Sequence, residues 1–217
     1  MMNGKTKSVI LLDEVAWGND DPRIGAEDDE DSMLGLDSVQ NSNFKFVICD
    51  IDGTISDCEH RRHYLEGKKK DFKSFFAEQE EDKVIETTRT ILDLFHDSGY
   101  NIIYCSARSE EHRLGTECWL TSNNLHHTEG YIGAENNLFM REFGDYRPDH
   151  IIKEEILWRK IKPYIEKRIN YSWKENTKIV QMGWKKRISL VLDDRDEVVD
   201  MWRRNGLVCH QVAKGNF

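Results

Sequence analysis

A chain of 217 residues can hold one ordinary domain with a sizeable core, plus some excess. With 33% charged residues and no apolar run of spanning length or leader pattern, it reads as soluble and cytoplasmic rather than membrane-bound. The formal charge of −9 is uneven: residues 1–43 carry ten acids against three bases, a net of −7, and the remainder is nearly balanced, so a nucleic-acid substrate is not excluded. Five scattered cysteines without a C-x-x-C pair argue for a reducing compartment and against a disulfide framework or zinc knuckle.

Residues 1–43 read as an acidic, flexible tail, with clusters at Asp20-Asp21 and Glu27 to Asp31. Within it, Val9 to Trp17 is an apolar patch suited to adding a strand or docking on a protein partner, although a flexible tail is the preferred reading. Gly4-Lys5-Thr6 lacks the strand and first glycine of a phosphate-binding loop and is read as chance. Phe44 to Cys49 is almost continuously apolar, as for a central strand covered on both faces. It ends on Asp50, Asp52, Gly53 and Thr54. Chemistry collects at the carboxyl ends of strands in an open parallel sheet, and paired carboxylates there call for a compensating cation.

Ser56 to Asp82 is polar and mostly helical, with Phe72, Phe75 and Phe76 at helical spacing as a packing face. Thr87 to Ser98 predicts a helix with Ile91, Leu92, Leu94 and Phe95 inward and Gly99 as its stop. Asn101 to Cys105 is a second buried strand, ending at Ser106-Ala107-Arg108. A helix over Glu110 to Asn124 and a short strand over Leu138 to Arg141 follow. Asp149, a plausible N-cap, opens a helix that Pro163 is expected to interrupt. Residues 167–186 are basic and aromatic, including Lys167, Arg168, Lys174, Tyr171, Trp173 and Trp184. Such interleaving suits a nucleic-acid strand, but a lysine-coated element with inward rings is preferred slightly. Ile188 to Leu192 is a third buried strand ending at Asp193-Asp194; a helix over Asp196 to Arg204 and a strand over Leu207 to Val212 close the chain. Alternating strands and helices predict a doubly wound α/β sheet.

Three strands thus deliver Asp50 and Asp52, Ser106, and Asp193 and Asp194 to one sheet edge. Lys153 sits near a helix start, where the dipole disfavours a cation, and so suggests an anion nearby. Pairing with Glu154 or a surface acid is equally compatible with the sequence.

Asp-x-Asp-Gly-Thr, a strand-end Ser, a Lys and a strand-end Asp-Asp together resemble the haloacid-dehalogenase phosphatases. A closer resemblance, over Phe44 to Phe217, is to the 3′-phosphatase domain of phage-type polynucleotide kinase–phosphatases. It rests on Asp50 to Thr54, Arg61, Ser106-Ala-Arg108, Gly144 to Glu155, and the run from Asp193 to Phe217. The resemblance implies a haloacid-dehalogenase-like sheet with a small helical cap at about 55–85 in a domain spanning 44–217. It implies a Mg2+-dependent phosphoric monoester hydrolase, acting on the 3′ ends of RNA or DNA in end repair, through an aspartyl-phosphate.

In those terms Asp50 attacks, Asp52 is acid and then base with a raised pKa, and Ser106 and Lys153 hold phosphoryl oxygens. Thr54, Arg61, Arg108 and Asp149 serve the substrate; Arg61 and Arg62 are both expected at the surface, so either could act. Asp50, the Asp52 carbonyl, and Asp193 or Asp194 would bind the metal. No kinase domain precedes the phosphatase, so no kinase activity is expected; the location is the host cytoplasm if the chain is phage-encoded. A small-molecule nucleotide phosphatase and an inactive binding module are the alternatives.

Overall fold

The computed structural model describes residues 45–66, 68–125, 137–171 and 183–215. The expected tail and the central part of the basic-aromatic stretch lie outside them. In chain order the elements are β1 (Phe46–Cys49), β2 (Ser56–Asp57), α1 (Phe72–Ala77), β3 (Lys83–Val84), α2 (Glu86–Asp97), β4 (Asn101–Ser109), α3 (Arg113–Ser122) and β5 (Leu138–Arg141). They continue with α4 (Asp149–Ile156), α5 (Lys162–Tyr171), β6 (Ile188–Arg195), α6 (Asp196–Arg204) and β7 (Cys209–Gly215).

The sheet has the order β5-β4-β1-β6-β7, and every pairing in it is parallel. The central strand shows why its sequence is apolar throughout. Phe46 and Ile48 face one layer, with Ile152, Ile156, Ile165, Val198 and Trp202 from α4, α5 and α6. Val47 and Cys49 face the other, with Leu92, Trp119 and Leu120 from α2 and α3. All four β1 side chains are fully buried, and each large one contributes about 1.5–3 kcal/mol of transfer free energy. This is the doubly wound α/β architecture, with helices on both faces.

Several local expectations change. Leu94 is 64% exposed, because α2 turns Thr88 and Leu92 fully inward, with Ile91 and Phe95 half-buried. Of the three phenylalanines in the cap region, Phe75 is buried while Phe72 is 52% exposed. That region is mostly helical as expected, and in addition β2 and β3 pair antiparallel and clamp its two ends together. Strands β4 and β6 run past their expected ends, so Ser106, Asp193 and Asp194 lie within the sheet, with the Asp193 charge met there by Lys153.

Pro163 does not end its helix. Residues Leu157–Ile161 adopt π-helical geometry, and Pro163 is the second residue of α5. Proline lacks an amide hydrogen and crowds the carbonyl four residues back; the wider turn just before it relieves both demands.

Candidate active site

Strand register places the site. Cys49 lies opposite Tyr104 on β4 and Leu192 on β6, so the residues following each of these positions leave the same edge of the sheet. The Asp50 amide donates to the Leu192 carbonyl at 3.0 Å, which seats the first aspartate beside Asp193 and Asp194. The chain then turns tightly, with the amides of Thr54, Ile55 and Ser56 all donating to the Ile51 carbonyl. Gly53 makes that turn at φ +81°, and a Cβ there would lie 2.3 Å from an Asp194 carboxylate oxygen. Only glycine satisfies both constraints.

Two buried clusters result. In the first, Lys153 reaches from α4 to Asp50 Oδ1 at 2.7 Å and to Asp193 Oδ2 at 2.8 Å. Asp193 Oδ2 also accepts from Trp202 Nε1 at 3.1 Å. Asp194 is fully buried, and neither of its carboxylate oxygens has a partner among the described residues. Burial pushes the Asp50 carboxyl well above its usual range despite Lys153, with Asp193 and Asp194 adding to the rise. Burial, then the Asp193 charge, lifts Asp194 to about 6. Burial alone would lower the Lys153 pKa, but the charges of Asp193 and Asp50 raise it well above the ordinary value.

Three carboxylates therefore face one ammonium. Oxygen atoms of Asp50, Asp193 and Asp194 lie within 4.8 Å of one another. An all-oxygen donor set, two orphaned carboxylate oxygens and a glycine cradle fit a hard divalent cation such as magnesium. Because Lys153 and Trp202 already engage Asp193, Asp194 is the better-placed donor of the pair.

The second cluster surrounds Asp52. Arg61 Nη2 donates to Asp52 Oδ1 at 2.6 Å; Arg108 donates to the same carboxylate through Nη2 at 2.7 Å and Nε at 2.8 Å. Both arginines are buried, Arg61 completely so, and its guanidinium lies 4.0 Å from the centroid of the Phe75 ring. Two sequence expectations fall here. Arg61 is not a surface residue interchangeable with Arg62, which instead pairs with Glu59 on the outside. The Asp52 pKa is not raised: burial pushes it up, but Arg108 and then Arg61 outweigh burial and hold it well below the usual carboxylate range. Two cations on one carboxylate, Arg108 gripping both oxygens and Arg61 one, are the reason.

Ser106 is buried on β4, and its hydroxyl accepts from the Arg108 amide at 3.1 Å. Thr54 is fully buried, its hydroxyl without a partner among the described residues. Asp149 does not cap α4; Pro148 holds that position, and Asp149 instead bridges Arg141 and Arg195. Arg141 Nε in turn donates to the Ala107 carbonyl at 2.7 Å, tying this bridge to the strand that carries Ser106 and Arg108. Asp82 was invisible in the sequence, where it closes an acidic run from Glu78 that reads as surface; in the fold it is buried against both arginines.

The basic-aromatic stretch lies elsewhere, as far as it is described. Trp184 and Lys185 precede β6 at its amino end, and the first residue of that strand, Ile188, is itself five residues or about 16 Å from Asp193. Trp184 packs edge-on to Trp158, and Lys185 sits 4.7 Å from the centroid of the Trp158 ring.

A family model described as the polynucleotide kinase PNKP phosphatase domain matches residues 44–188 and 174–217, covering both clusters. The chain belongs to this family. It is accordingly a haloacid-dehalogenase-type phosphatase domain. Among solved structures, a chain of the Pnkp1/Rnl/Hen1 RNA repair complex is 28% identical, with a TM-score of 0.58 over 82% of this chain and 45% of that one. A second structure of the Pnkp1/Rnl/Hen1 complex is 29% identical, with a TM-score of 0.56 over 82% of this chain and 48% of that one. This chain therefore spans under half the length of these two solved chains. No helix among the described residues is long and apolar enough to cross a membrane.

Proposed function

We propose that the chain removes terminal 3′-phosphates from RNA or DNA in end repair, as a Mg2+-dependent phosphatase working through a phosphorylated Asp50. The observation that carries this reading is Lys153 set between Asp50 and Asp193, with Asp194 buried and unpaired beside them. Membership of the phosphatase family and the likeness to a chain of an RNA repair complex support the substrate class.

Magnesium, held by Asp50, Asp194 and the Asp52 carbonyl, would supply positive charge to the phosphoryl oxygens. Lys153 fixes the Asp50 carboxylate by one oxygen and favours its charged, nucleophilic form against burial. Attack on phosphorus forms the Asp50 acyl-phosphate and releases the 3′-hydroxyl end. Lys153, Ser106 and the unsatisfied Thr54 hydroxyl are the donors for the equatorial oxygens. Asp52 protonates the departing oxygen, then takes a proton from the water that cleaves the acyl-phosphate. Its arginine-bound, ionised form suits the second step. For the first, Arg61 and Arg108 would share their charge with the substrate phosphate and so release their hold on the Asp52 proton affinity. Asp149 acts by bracing Arg141 and Arg195 at the rim.

A protein partner is also proposed, since the solved relatives are components of the Pnkp1/Rnl/Hen1 complex. The test is phosphate release from a 3′-phosphorylated oligonucleotide, as RNA and as DNA, with and without Mg2+, beside a nucleoside 3′-monophosphate. Mg2+-dependent release favouring the polymer is expected. Strong preference for the mononucleotide would replace the polymer reading with that of a nucleotide phosphatase.

A further inference from the structure

Asp82 stands outside the motif residues named above and outside the proposed chemistry, yet it has three ion-pair partners, His60, Arg61 and Arg108, where Asp52 has two. Its side chain is fully buried between α1 and β3. Oδ1 accepts from Arg61 Nε at 2.6 Å and lies 2.9 Å from His60 Nε2; Oδ2 accepts from Arg61 Nη2 at 2.5 Å, Arg108 Nη2 at 3.1 Å and the Ser56 hydroxyl. The Asp82 carbonyl is itself pinned by Trp119 Nε1 at 2.8 Å.

The guanidinium nitrogens on Asp82 include those that hold Asp52. Arg61 Nη2 and Arg108 Nη2 each touch both carboxylates, so the two aspartates share one pair of planar forks. A guanidinium is rigid, so fixing one edge fixes the direction of the other. Gln79 and Thr116 steady the remaining Arg108 nitrogen at 3.1 and 3.3 Å. Arg61 has no hydrogen-bonding side chain besides Asp82 and Asp52 among the described residues; its Nη1 donates to the Phe75 carbonyl at 3.3 Å, and the guanidinium lies over the Phe75 ring.

We propose that Asp82 is a positioning residue: it locks Arg61 and Arg108 in place and thereby aims the Asp52 carboxylate at the leaving-group oxygen. This rests on the role of Asp52 proposed above. A purely structural anchor, once removed, would lower stability and slow every substrate alike. A positioning residue is selective, because only a poor leaving group needs a well-aimed proton donor.

The experiment compares kcat/KM for two substrates of the full chain: a nucleoside 3′-monophosphate, whose alkoxide leaves badly, and p-nitrophenyl phosphate, whose phenolate leaves unaided. This ratio reports steps up to departure of the leaving group and is blind to later cleavage of the acyl-phosphate. In Asp82→Asn the alkyl ester is expected to lose about 100-fold and the aryl ester no more than about threefold. Equal losses, or no loss, would overturn the proposal. Should that variant fail to fold, Asp82→Glu, which keeps the charge and moves it by one methylene, is subject to the same expectation and the same refutation. Wild-type protein active on the mononucleotide but not on the oligonucleotide would sink the polymer substrate while the alkyl-to-aryl ratio still judges Asp82. Wild-type protein inert toward all of these esters would refute both readings together.

Discussion

Lys153 decides the electrostatics of the first cluster. It is the single cation among the described residues in contact with two of the three buried carboxylates, and its removal leaves those charges facing one another. Breaking a buried pair in this way costs about 3–5 kcal/mol. Lys153→Met is therefore expected to lose that amount in urea unfolding at neutral pH; a loss under about 1 kcal/mol would contradict the pairing. Asp194 makes the complementary prediction. Its oxygens are the orphaned ones, so Mg2+ at a hundredfold excess over Kd should stabilise the wild-type chain by about 2.7 kcal/mol and Asp194→Asn by far less. Equal stabilisation of both, read by thermal unfolding, would move the metal elsewhere. At the surface, Asp145 pairs with Arg147, and hydrogen bonds from the Arg147 side chain and then its amide hold the carboxyl down at about 2. A depressed carboxyl stabilises the fold above its ordinary value of 3.8 and ceases to do so as pH falls through about 2. The stability gap between wild-type and Asp145→Asn should therefore close across that window; a gap that stays constant to pH 2 would contradict it.

Among the elements, those set by local chemistry were legible and those set by distant partners were not. The strand Phe46–Cys49, the helix Asp196–Arg204 and the strand Leu138–Arg141 follow from apolar runs and periodicity, which need no tertiary information. The extensions of β4 to Ser109 and β6 to Arg195 were not legible, because a strand continues through Asp193 only when Lys153, forty residues earlier, takes its charge. Pro163 misled differently: its helix continues through a π turn that no residue preference announces. Since proline suits the first turn of α5, Pro163→Ala should cost no more than about 1 kcal/mol, through the greater freedom of the unfolded chain. A larger loss would mean that the π turn depends on the proline ring.

For the whole molecule, alternation of elements predicted the parallel doubly wound sheet, and the sheet edge predicted where Asp50, Asp193 and Asp194 come together. What sequence could not convey is that the site divides into two electrostatic halves. One is an acid trio around an ammonium; the other is a carboxylate pair around two guanidiniums. Asp82 and the burial of Arg61 belong to that second half, and both arise from the cap folding back onto β4. The division has a mechanistic consequence, since it separates the group proposed to attack from the group proposed to shuttle protons. The most direct measurement is acid quenching during turnover of a 3′-phosphorylated oligonucleotide, followed by peptide mass spectrometry. A phosphoryl adduct on Asp50, absent from Asp50→Asn protein that remains folded but inactive, is the predicted result. Sustained turnover by Asp50→Asn, or an adduct on any other residue, would contradict the account.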